Sequence, residues 1–89
     1  MEECLKPIEG ISLQLYAELV AKMRGHEDDL EACARIAELA GIDRRRWFAA
    51  MSGWNARMSD PNHARLVSRT YIDFYHAAVV FEDEGRQDR

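Results

Sequence analysis

The side chains able to do chemistry in this chain are few and scattered. Asp73 and His76 stand three residues apart, a spacing at which a carboxylate and an imidazole on one helix can hydrogen-bond. A carboxylate-bridged dimetal centre in a helical bundle needs two such pairs plus inward-facing glutamates from other helices. Glu18, Glu31 and Glu38 lie off the apolar stripes of their segments and are expected to face solvent. The run His26-Glu27-Asp28-Asp29 has metal-ligating side chains, but acids there are better explained as the first turn of a helix, where its dipole stabilises them. Cys4 and Cys33 form no CxxC pair, and three histidines far apart do not complete a zinc site. There is no Gly-rich phosphate loop, and no nucleophile with a supporting base motif. The expectation is no catalytic residue, no metal and no cofactor.

Binding chemistry is better represented. The net charge of −4 conceals a dipole. Residues 1–43 hold four bases and ten acids, residues 44–81 six arginines and two acids, and residues 82–89 two bases and four acids. The basic stretch contains no lysine, and arginine's planar fork suits carboxylate or phosphate. Two readings follow: the halves attract across an intramolecular seam, or the arginines meet an anionic partner. Trp47 and Trp54, at helical spacing with Met51 and Met58, are expected in the core. Trp54 beside Arg46 or Arg57 is alternatively a partner hot spot, since Trp and Arg are enriched there.

Four helices must position these groups, near residues 12–24, 27–40, 44–58 and 61–81. Ser12 is a good N-cap, and Ile11 before it can staple onto Tyr16. Leu15, Tyr16, Leu19, Val20 and Met23 follow as one stripe, and Gly25 stops the helix. The second helix has a narrow face of Leu30, Cys33, Ala34, Ala37 and Ala40, then Gly41 and Ile42 as a Schellman-type stop. Asp43 caps the third, in which Arg46, Ala50, Gly53 and Arg57 form a stripe turned roughly 90° from the tryptophans. Asp60-Pro61 opens the fourth, whose core stripe is Val67, Tyr71, Phe74, Ala78 and Phe81. Its opposite face carries Arg65, Arg69, Ile72, His76 and Val79. A row of exposed aliphatics on a long helix suggests a contact with another protein or a second copy.

The segment from Cys33 to Asp43 resembles the first helix and turn of the helix-turn-helix family. Ala37 takes the small position four before the turn glycine, Ile36, Ala40 and Ile42 the apolar positions, and Gly41 the turn. The likeness covers residues 33–52 and implies that the next helix reads DNA with Arg44, Arg45 and Arg46. Trp47 replaces the usual small aliphatic, and no basic arm is present. Separately, Pro7-Ile-Glu-Gly-Ile-Ser-Leu13, with Gly53-Trp-Asn-Ala-Arg-Met58 and Asp60-Pro61, resembles a family of small bacterial all-helical proteins of unassigned function. That resemblance implies a bacterial protein and carries no activity.

At 89 residues the chain is the size of one small domain, and no apolar run approaches a membrane span. The reading is an all-α, compact four-helix domain of bundle type over 12–81, with a lead-in at 1–11 and a flexible polar tail at 82–89. Two cysteines with no leader sequence suit free thiols in a reducing cytoplasm, Cys4 in a mobile end and Cys33 as a small buried hydrophobe. The expected function is a non-enzymatic protein-interaction module: an adaptor, a regulatory subunit or a neutralising partner, able to self-associate and independent of membranes. The expected contacts are Arg46, Trp54, Arg57, Arg65, Arg69, Ile72, His76 and Val79. The alternative is a DNA-binding regulator using Arg44–Arg46.

Overall fold

Ser12 starts the first helix as its position predicts. Its hydroxyl accepts from the Leu15 amide at 3.1 Å, and Ile11 and Tyr16 on either side are both buried. The computed structural model describes the backbone of residues 3–87 and the side chains of 4–81. It contains α1 (Leu13–Lys22), α2 (Leu30–Leu39), α3 (Arg44–Ser59) and α4 (Ala64–Gln87), preceded by a 3-10 turn at Glu3–Leu5. This is an all-α four-helix domain, and the described residues contain no strand beyond one isolated bridge, Ile8 to Ile11.

Three boundaries differ from the sequence reading by three residues or more. Helix α2 starts at Leu30, not Glu27, because Asp29 is the residue whose carboxylate reaches a free amide, that of Ala32 at 3.1 Å. Glu27 instead accepts from the Gly25 amide, and residues 26–29 form turns. Helix α4 starts at Ala64. Asp60 still caps, but it caps a turn over 61–63, its side chain accepting from the Asn62 amide at 2.9 Å. At the other end the backbone of α4 runs on through Gln87, where a frayed tail was expected. Residues 88 and 89 lie outside the described residues.

The α2–α3 corner follows the Schellman pattern. Gly41, at φ +88°, lets its amide reach the Glu38 carbonyl, while the Ile42 amide reaches Ala37 at 3.0 Å. Asp43 then occupies the N-cap of α3, though its side chain makes no capping bond.

The core is built around α1, which is covered on more than one side. Leu13, Tyr16, Ala17, Leu19, Ala21 and Met23 are all buried, a wider arc than the single stripe predicted. Helix α4 packs along it with Val67, Tyr71 and Phe74, and α3 contributes Trp47, Ala50 and Trp54. Tyr16 links the three helices, stacking on Trp47 at 5.3 Å and meeting Tyr71 at 5.9 Å. The buried residues of α2 are the small Cys33, Ala34 and Ala37, with Ile36 packed half-buried at the edge, so it adds little side-chain bulk to the core.

The lead-in is part of this domain. Cys4 is buried, contrary to the mobile end expected. Ile8 and Ile11 exchange both backbone hydrogen bonds around Glu9 and Gly10, whose φ angles are +54° and +77°. Positive φ at both central residues is the type I′ turn, which glutamate adopts at a cost that glycine avoids.

Candidate binding surface

Helix α3 presents its second stripe, Arg46, Ala50, Gly53 and Arg57, to the chain's own first residues. Arg57 donates to the carbonyls of Lys6 (2.6 Å) and Cys4 (3.1 Å), and its guanidinium lies 4.7 Å from the centre of the Trp54 ring. Arg46 grips the Glu9 carbonyl through Nε and Nη2, at 3.2 and 3.0 Å. Trp54 donates Nε1–H to the Ile11 carbonyl at 3.2 Å. Gly53 leaves room for Ile8, whose Cδ1 would lie 2.6 Å from a Cβ at that position. Three residues of that stripe, Arg46, Gly53 and Arg57, thus hold 4–11 against the helix together with Trp54 beside it.

This corrects the expected role of three residues. Trp54 is completely buried and offers no surface to a partner. Arg46 and Arg57 are occupied by backbone carbonyls of the same chain. Sequence reasoning found the stripe but missed its occupant, because a backbone carbonyl leaves no residue-type signal.

The three arginines at the start of α3 also have neighbours within the molecule. Arg44 pairs with Glu31, Arg45 stands 3.8 Å from Glu9, and Arg46 3.8 Å from Asp43. Arg44 and Arg45 remain largely exposed, so these pairs add little stability. They place acids from the N-terminal half beside the basic stretch, as the intramolecular reading expects. A phosphate approaching here would meet three carboxylates as well as three guanidinium groups.

The groups with chemical potential are dispersed. Asp29 and Glu27 are used as backbone acceptors, and among the described residues no three His, Cys, Asp or Glu side chains converge. The Cys33 thiol donates to the His26 carbonyl, and burial, then Asp29 and Glu27, push its pKa up, which disfavours the reactive thiolate. Burial, reinforced by Tyr71, pushes Tyr16 up to about 12. Asp73 and His76 are exposed on α4, and the His76 ring lies 6.1 Å from Tyr75.

The outer side of α4 is different in kind. Arg65, Arg69, Ile72 and His76 are exposed and Val79 is half-buried. Of the six large hydrophobic side chains described as exposed, Leu66, Ile72, Val80 and Phe81 belong to this helix. Phe81, placed in the core by its spacing, is 77% exposed. The reason is length: 24 residues of helix extend about 36 Å, and the ten of α1 only about 15 Å. The distal half of α4 therefore outruns its cover. A shallow groove of about 310 Å³ runs there between Gln14, Glu18 and Lys22 of α1 and Phe74, Ala78 and Phe81 of α4.

Residues 77–81, Ala-Ala-Val-Val-Phe, form an unbroken apolar run on this overhang. Consecutive residues are about 100° apart, so five of them encircle the helix. A helix apolar all round belongs in an interior, yet here only one side is covered. The sequence signal was the run itself, which a search for one core stripe divides between two faces.

No protein-family model, curated protein or solved structure matches the chain. Among the described residues, no helix is long and apolar enough to cross a membrane.

Proposed function

We propose that the protein is a non-enzymatic protein-interaction module whose docking element is the distal half of α4. The observation that carries this reading is the apolar girdle 77–81 on a helix that outruns its intramolecular cover, with Val80 54% and Phe81 77% exposed. Exposed apolar runs of this kind are an aggregation liability unless something binds them. Ile72 and Val79 extend the surface towards the helix start, and Arg65 and Arg69 give it a basic end. Adaptor, regulatory subunit and neutralising partner all fit such a module. The two free, buried cysteines suit a reducing cytoplasm, and the resemblance in motif style favours a bacterial source.

DNA binding through Arg44, Arg45 and Arg46 is the weaker reading. The Schellman corner between α2 and α3 is compatible with it, but each of those arginines already faces a carboxylate. The test is a photo-crosslinking side chain at position 80, with one at Leu39 as control. Leu39 is an 88% exposed leucine on α2, away from the girdle. Protein adducts are expected from position 80 and not from position 39.

A further inference from the structure

The proximal and distal ends of α4 are complementary to each other about one residue. His76 is the midpoint: Ile72 and Val80 stand four residues either side, and Arg69 and Asp83 seven either side. Steps of four and seven keep all five register positions within about 40° of one line along the helix. Arg65 continues the basic end, and the backbone of the last turns carries Glu82, Asp83 and Glu84 in sequence. Across the described part of this line Arg65, Arg69, Ile72, His76 and Val80 are all exposed.

We infer that the occupant of the α4 face is a second copy of this chain, with the two α4 helices antiparallel about a two-fold axis at His76. Reversal about that residue sets Ile72 of one copy against Val80 of the other. It lays the Arg65/Arg69 end over the acidic Glu82–Glu84 end, twice by symmetry. An isologous interface must be complementary to itself, and this face meets that condition in both hydropathy and charge. A parallel pairing would set arginine on arginine and acid on acid. The inference rests on the protein-interaction reading of α4 and specifies its partner.

The test is sedimentation equilibrium over rising concentration for the wild type, Arg69→Glu, Asp83→Arg and an equimolar mixture of the two variants. The wild type is expected to approach twice its monomer mass. Each single charge reversal makes two like-charge pairs per dimer and should weaken association about tenfold. In the mixture, Glu at 69 of one chain meets Arg at 83 of the other, and both wild-type residues meet as well, so dimer returns. A parallel interface sets like on like in the wild type and in each variant alike, so only an antiparallel one predicts both the loss in each variant and its return in the mixture. A wild type that stays monomeric, or a mixture no better than its components, overturns the inference. Protein adducts from position 80 to a different chain would then leave the broader reading standing, and their absence would remove both.

Discussion

Two tryptophans of the same helix are buried alike and bonded differently. Trp54 donates its indole N–H to the Ile11 carbonyl, whereas the Trp47 N–H has no hydrogen-bond partner among the described residues. A buried donor without a partner is destabilising, and breaking a buried pair strands the other member at about 1–3 kcal/mol. Trp54→Phe should therefore lose about 1–3 kcal/mol more than Trp47→Phe in denaturant unfolding, although both remove the same volume. Equal losses would mean the indole bond does not anchor the lead-in. Tyr16 supplies a pH test at the same scale. Its pKa lies above the ordinary 10.0 because the folded environment disfavours the phenolate. The stabilisation is complete below pH 10 and is lost as pH rises towards about 12, by about 2–3 kcal/mol in all. An alkaline stability series on the wild type and Tyr16→Phe should show that fall in the first and a shallower one in the second, where Tyr71, shifted the same way, still contributes.

At the scale of elements, α3 serves two neighbours: the core through the buried Trp47, Ala50 and Trp54, and the lead-in through Arg46, Gly53 and Arg57 with the Trp54 indole N–H. Gly53 decides how closely the lead-in approaches. In an ordinary helix interior Gly→Ala gains about 1 kcal/mol, but a Cβ here meets Ile8 at 2.6 Å. Gly53→Ala alone should thus be destabilising, and the same change in an Ile8→Ala background should recover the helix-propensity gain. Additive effects in that double-mutant cycle would show that Ile8 does not rest on Gly53. The helices themselves were legible because capping is local: Ser12 and Gly41 act within a few residues of their place in sequence, whereas Asp60 caps only the turn before α4. The start of α2 was misplaced because acids at 27 to 29 all suit a first turn, and only geometry selects Asp29. The lead-in was illegible for a different reason. It is held mainly through its own carbonyls, and its I′ turn uses Glu9-Gly10 where asparagine or aspartate would have announced it.

For the whole molecule, charge and length tell the same story from opposite ends. The dipolar charge pattern is partly consumed internally, with Glu31 and Glu9 brought to Arg44 and Arg45. Of the expected contacts, Arg65, Arg69, Ile72 and His76 are exposed on α4 and Val79 is half-buried there, while Arg46 and Arg57 hold the lead-in and Trp54 is buried. Phe81 was misassigned because periodicity reports which face a residue occupies, not whether a neighbouring helix is long enough to reach it. That mismatch between α4 and α1 is the basis of the functional proposal. Photo-crosslinking from position 80 in the cell that makes the protein tests it most directly. Specific protein adducts at position 80, absent at position 39 and lost with Ile72→Glu, are the predicted result. No adduct at 80, or the same products from both positions, would contradict it.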